Sequence, residues 1–240
     1  KFVPQGKDYS LKDHTLIVPI VSFGNVGQLS VDLIVSSLEL PRVGYLSSPD
    51  VVPVVGNGAF AGSSLCVNLE VFADEAKHLA VVQQRAPVRR GCVRSFVESL
   101  FAWICAEGVS RVVCICSADG RFRGDAELQR RTLNFACAGP VEPGLSELGW
   151  IELSDAVLLE AVGGRSVAML LLAMLRERGV PTTMPVAFTG EGDNIADAVM
   201  VTGMLNALFK WIAGDPVHFR PPPSWSLIHG TGIPTQNLFG

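Results

Sequence analysis

His14 to Leu40 reads HTLIVPIVSFGNVGQLSVDLIVSSLEL, and this stretch decides the fold. The apolar run 14–21 reads as a buried first strand. After it, Val26, Leu29, Leu33 and Ile34 fall at helical spacing, with Ser22 or Asn25 in place to cap the helix start. Pro41 cannot continue a helix, so the pattern must stop there, and Arg42 to Leu46 (RVGYL) reads as a second short strand. A buried strand passing through a glycine-bearing turn into an apolar-faced helix, then to another strand, is the beginning of a layered α/β domain.

The same alternation continues along the chain. Residues 65–74 (LCVNLEVFAD) and 78–86 (HLAVVQQRA) read as neighbouring, antiparallel strands joined around Asp74 to Lys77. Residues 90–107 carry Val93, Phe96, Val97, Leu100, Phe101 and Ile104 on one helical face, with Gly108 as the stop. Residues 111–118 (RVVCICSA) form a continuous apolar run, as a strand covered on both faces would. Residues 119–162 offer the least pattern. Beyond them we expect a helix over 163–179 beginning at a glycine pair, a strand over 184–188, and a long helix over 193–214 capped by Asp193. The fold class is therefore α/β, a three-layer α/β/α sandwich with a mixed, mostly parallel sheet. A single domain is expected over 1–213, and the proline-rich, aperiodic 214–240 reads as an extended tail crossing or leaving the surface.

Composition narrows the function. With 240 residues, 48% of them hydrophobic, the chain can bury a large core, and its formal charge of −4 is spread evenly. No nucleic-acid footprint results; the one basic cluster, Arg85, Arg89, Arg90 and Arg94, flanks a helix start. No window reads as a membrane span and the first residues lack the pattern of a signal peptide, so we expect an intracellular protein. The six cysteines show no metal-ligand spacing and read as reduced, mostly buried thiols; Cys114 and Cys116 should share one strand face. No metal or cofactor is expected.

Three strand-to-helix junctions are rich in glycine: Ser22-Phe23-Gly24-Asn25-Val26-Gly27, Gly163-Gly164, and Gly190-Glu191-Gly192-Asp193-Asn194. Backbone amides at such junctions can hold an anion, which makes a phosphate or nucleoside pocket one reading. None is a Walker loop with its lysine, Gly24 and Gly27 lack the first glycine of the dinucleotide fingerprint, and Glu191 and Asp193 would repel a phosphate. Tight turns alone account for the glycines. Ser22 is the best lone nucleophile, yet it lacks the elbow sequence, and none of His14, His78, His218 and His229 has a local carboxylate and nucleophile partner.

Several segments together resemble one family: FVPQG at the start, PIVSFGNVGQLSVDLIVSSL with VGYL after it, VVPVVGNGAF, LGWIEL, AFTGEGDNIADAV with LNALFKWI, and PSWSLIHGTGIP near the end. In this order they are similar to the proteasome assembly chaperone 2 family. The resemblance implies a phosphorylase-like three-layer fold and a non-enzymatic chaperone of the cytoplasm and nucleus. It implies pairing with a related subunit, proteasome assembly chaperone 1, as a heterodimer. That heterodimer would bind proteasome α-subunits, promote α-ring formation and block premature dimerisation of half-assembled rings. A nucleoside-phosphorylase-like or hydrolase-like enzyme using the glycine junctions is the alternative, and a homo-oligomeric relative of archaeal type a third.

The resemblance also implies docking on the α-ring through a terminal hydrophobic-tyrosine-any-residue motif. Leu238-Phe239-Gly240 stands in its place with phenylalanine for tyrosine, a loss on the order of ~1 kcal/mol if the hydroxyl is hydrogen-bonded. The loop 47–63, with Val51, Val52, Val54, Val55 and Phe60, is too apolar to stay uncovered, and a contact with the partner subunit is expected there, with Trp225 a second anchor or a cap on the core.

Overall fold

A computed structural model describes residues 1–6, 9–62, 65–123, 133–214 and 217–226. Among these residues nine strands form one sheet: β1 (Phe2–Pro4), β2 (Thr15–Pro19), β3 (Arg42–Leu46), β6 (Leu69–Asp74), β7 (Leu79–Gln84), β8 (Arg111–Asp119), β9 (Asn134–Ala138), β10 (Ile151–Glu152) and β11 (Thr182–Thr189). Their order across it is β1-β3-β6-β7-β2-β8-β11-β9-β10. The centre, β7-β2-β8-β11, is parallel. Both flanks bring antiparallel neighbours, so the sheet is mixed as the sequence predicts. A small separate ribbon pairs β4 (Val55–Asn57) with β5 (Leu65–Val67).

Side-chain alternation on the central strands divides the core in two. Leu16, Val18, Val112, Cys114 and Cys116 point to one face, where α2 (Val93–Glu107), α3 (Asp155–Val162) and α4 (Val167–Arg178) pack. Ile17, Val113 and Ile115 point to the other, beneath α1 (Val26–Leu38) and α5 (Ile195–Phe209). The three layers are thus those expected, and the two cysteines of β8 do share a face. Where both faces are covered, a strand has no room for polar alternation, which explains the unbroken apolar run of β8.

Helix ends follow local chemistry in some places and tertiary chemistry in others. Gly108 closes α2 and Gly179 closes α4, both left-handed. The helix expected over 163–179 is α4, and a separate helix, α3, precedes it in the stretch that the sequence left without a pattern. The hydroxyl of Ser154 caps α3 by accepting from the Val157 amide, Gly163 turns the chain at φ 78°, and the Ser166 hydroxyl caps α4 through the Met169 amide. The glycine pair therefore ends one helix and does not begin the next; it is no strand-to-helix junction. Ser22 and Asn25 make no side-chain cap on α1. Asn194, not Asp193, occupies the cap position of α5, although the Asp193 carboxylate accepts from the Ile195 amide at 3.0 Å. That helix stops at Phe209, short of 214, because the Asn206 side chain bonds both the amide and the carbonyl of Ile212 (2.7 and 2.9 Å) and pulls the chain out of helical geometry.

The described part of the tail runs back across the domain. Phe219 lies on Gly203 of α5, the Arg220 amide bonds the Ser37 hydroxyl at the end of α1, and its guanidinium pairs with Glu39. Trp225 then enters the core, 3% exposed.

Candidate functional site

Two of the three glycine junctions meet at the carboxyl ends of the central strands. Asn194 is buried between them: its amide donates to the carbonyls of Gly24 (3.1 Å) and Gly192 (3.2 Å), and its oxygen accepts from the Thr189 hydroxyl at 2.7 Å. The Thr189 hydroxyl also reaches the Asp197 carboxylate. A side chain of the protein itself thus fills the crevice where a ligand of an open α/β sheet would lie.

The glycines of the first junction are needed for close approach. A Cβ on Gly24 would stand 2.5 Å from the Asn194 amide nitrogen, and one on Gly27 would stand 2.7 Å from the Ile115 carbonyl oxygen. The second contact is with backbone and cannot be relieved by a rotamer. Gly24 and Asn25 also take left-handed conformations, at φ 68° and 54°. Gly163 and Gly164 lie elsewhere, between α3 and α4.

Ser22 is committed as well. Its hydroxyl donates to the Ile20 carbonyl at 2.9 Å and accepts from the Ser117 amide at 3.0 Å, while the Ser117 hydroxyl donates to the Phe23 carbonyl at 2.5 Å. The two hydroxyl oxygens lie 2.9 Å apart. With both protons given to carbonyls, neither oxygen faces a base, so the nucleophile arrangement that the sequence left open is not assembled here. His14 sits at the opposite end of β2, buried, its Nδ1 bonded to the Lys12 carbonyl and its Nε2 3.7 Å from Glu75. His78 lies beside His14, ring centroids 5.6 Å apart, and His218 is exposed on the tail. Among the described residues no three His, Cys, Asp or Glu side chains come together as a metal site would need, and no helix is long and apolar enough to cross a membrane. Burial in the core pushes the Cys116 thiol up to about 11 and raises Cys114 as well, so neither is a ready thiolate.

A cavity of about 950 Å³ opens on the outer side of α5. Val199, Met200, Gly203 and Phe219 form an apolar wall, and Asp119, paired with Arg121 at 3.0 Å, lies at its rim. Thr189 and Asp197 of the Asn194 junction also line it, with Arg121 and Arg123.

The most concentrated polar chemistry is a buried cluster that sequence reading missed. Asp32 of α1 accepts from Gln83 (2.5 Å), from both terminal nitrogens of Arg85 (2.7 and 3.3 Å) and from the Trp225 indole nitrogen (3.2 Å). Glu70, 1% exposed, pairs with Arg42 at 2.5 Å, and its other oxygen lies 4.0 Å from Arg85. Burial lifts the Glu70 carboxyl above its ordinary range, with the nearby Asp32 charge adding to this and Arg42 and Arg85 opposing it. Burial works against the Arg85 charge, yet Asp32 and Glu70 outweigh it and hold the guanidinium charged. The signal was present: Asp32 interrupts the apolar SVDLIV face of α1, and Glu70 and Gln83 stand next to the apolar runs of their strands. Buried charges persist where partners satisfy them, and here the cluster joins α1, β6, β7 and the tail.

The apolar loop is divided in its placement. Val51 is buried and bridges Val88, and Phe60 packs edge-on against Phe72 at 5.1 Å with Arg85 over its ring. Val52, Val54 and Val55 are 36%, 41% and 70% exposed. Trp225 lies inside its own domain, against Asp32. Leu238, Phe239 and Gly240 lie outside the described residues.

Comparison with known proteins now names the fold's kin. The model of the PAC2 family matches residues 16–205. The chain belongs to the PAC2 family. It is 35% identical to proteasome assembly chaperone 2 of Danio rerio, over 94% of this chain and 95% of that one, and 29% identical to the human protein of the same name over 97% and 98%. Among solved structures, Pyrococcus furiosus PbaA, an archaeal homolog of proteasome-assembly chaperone, superposes with a TM-score of 0.68 at 14% identity, covering 89% of this chain and 83% of PbaA. PbaB of the same organism, an archaeal proteasome activator, gives 0.64 at 14% identity, covering 89% and 90%. These two likenesses concern the fold, which is the PAC2 fold. The family resemblance read from SFGNVGQL, EGDNI and PSW holds over nearly the whole chain, and all three segments have structural duties: the first two form the Asn194 junction and the third carries Trp225.

Proposed function

We propose that this PAC2-family chain is a proteasome assembly chaperone that acts by protein contact, without cofactor or covalent chemistry. It pairs with a related subunit resembling proteasome assembly chaperone 1, and the heterodimer binds proteasome α-subunits in the cytoplasm and nucleus. Occupancy is the mechanism: the heterodimer covers one face of the forming α-ring, holds subunits in place, and keeps half-assembled rings from dimerising. The observation that carries this reading is near-full-length similarity to proteins named proteasome assembly chaperone 2. The carboxyl-edge crevice supports the non-enzymatic part, because Asn194, Ser22 and Ser117 use their polar atoms on the protein itself.

Co-expression tests it. The chain produced together with a chaperone-1-like subunit should purify as a one-to-one complex by light scattering, and that complex should raise the yield of α-rings from co-expressed α-subunits. A chain indifferent to the related subunit and to α-subunits alike would overturn the reading.

A further inference from the structure

An uncharged, outward-facing strip runs over Val52 to Asn57 (VPVVGN), every residue of it exposed. Its second half is β4, which among the described residues pairs with β5 alone and leaves its other edge open. Leu65 of β5, 54% exposed, extends the apolar surface. A strip bearing three valines and no charge, and ending in an open strand edge, is a template for association unless another chain covers it.

One end of the strip is fixed beside a cationic segment. The Val52 amide bonds the Pro87 carbonyl at 3.0 Å, Val51 bridges Val88, and the Arg89 amide bonds the Asp50 carbonyl at 2.7 Å. The chain then passes through Arg90 to Arg94 at the start of α2. Arg89 and Arg90 are exposed, and among the described residues neither has a carboxylate within 4.0 Å. Arg94 meets, among the described residues, only Glu98, at 3.7 Å, with both side chains largely in solvent. Asp50, on the facing segment, reaches none of the three as an ion pair. The surface is thus an apolar strip with a cationic rim, on a chain whose formal charge is −4.

We infer that this face is where a second, different PAC2-fold subunit docks, laying an apolar segment flanked by carboxylates along Val52 to Val55 and Arg89 to Arg94. The inference rests on the heterodimer proposed above and assigns its surface. Charge complementarity argues for a different chain: two copies of this one facing each other across a twofold axis would set the same cationic rim against itself. Permanence argues for a subunit over a released client. An uncovered apolar strip is a hazard whenever the chain is free, and lasting partners bury the more apolar surfaces.

The test uses the full chain co-expressed with the chaperone-1-like subunit, with the affinity of the purified pair measured by titration at two salt concentrations. Val55→Asp places a charge on a side chain that is 70% exposed, so folding should survive, as thermal melting checks. Arg89→Glu with Arg90→Glu reverses the rim without touching the core. Leu159→Asp, on an exposed position of α3 outside the patch, is the control. Each patch variant should weaken the pair by about ten-fold or more, the reversed pair should flatten the salt dependence, and the control should match the wild type. Full affinity in both patch variants, with the wild type bound, would overturn the surface and leave the heterodimer standing. A wild-type chain that does not bind the subunit would overturn both together.

Discussion

Gly27 shows how much a single residue carries at the strand-to-helix junction. The Ile115 carbonyl oxygen would lie 2.7 Å from any added Cβ, and the Ile20 carbonyl oxygen 3.3 Å, so a side chain here must push α1 away from β8. We expect Gly27→Ala to cost about 2–3 kcal/mol, read from the urea midpoint, because overpacking against main chain cannot be relieved by a rotamer change. An unchanged midpoint would mean that α1 yields more easily than this geometry implies. Sequence reading found the glycines but could not assign their neighbours. Ser22 and Asn25 look like caps because caps are local, whereas the real partner of Ser22 is Ser117, 95 residues away. Asp193 and Asn194 exchanged roles for the same reason, since the Asn194 amide is held by Gly24, 170 residues away. Hydrogen bonds across such separations leave no spacing rule to read.

Among the elements, those with a strong period were legible and those stopped by tertiary chemistry were not. The apolar stripe of α2 ends at Gly108, and β3 and β7 fall where the sequence put them, whereas the single strand expected over 65–74 is split into β5, in the separate ribbon, and β6. Helix α3 was missed because it and its cap at Ser154 lie in the least patterned part of the chain, 119–162. The tail was read as an extended segment crossing or leaving the surface; its described part crosses, and Trp225 anchors it. Trp225→Ala should lower stability by about 3–5 kcal/mol, while Trp225→Phe, which keeps the ring but loses the donor to Asp32, should cost about 1–2 kcal/mol. Equal losses in denaturant titrations of the two variants would show that the indole hydrogen bond, not the buried ring, holds the strap.

For the molecule as a whole, layering was legible because two helical faces and continuous strand runs require it, while the buried ionic cluster was not. Asp32, Glu70, Gln83 and Arg85 come from α1, β6, β7 and the segment after β7, and only the folded sheet order brings them together. The same order supplies a probe of global opening. Cys114 and Cys116 lie in β8, between β2 and β11, whereas Cys66, Cys92, Cys105 and Cys137 are partly exposed. With the Cys116 thiol pushed up to about 11 and Cys114 raised by burial, a thiol reagent at pH 8 should leave two thiols unmodified in the native protein and reach them at the rate of unfolding. Rapid modification of all six would mean that the central strands open without unfolding of the whole.

The bond between Asp32 and Trp225 also bears on how the protein is made. Its two ends are separated by 193 residues, so α1 leaves the ribosome long before the indole that completes its covering. At about 5–20 residues per second, that interval is roughly ten to forty seconds, during which the Asp32 carboxylate and its apolar surroundings lack their last neighbour. Until the indole arrives, the surface it covers stays open on the emerging chain, and this part of the core closes only when Trp225 is made.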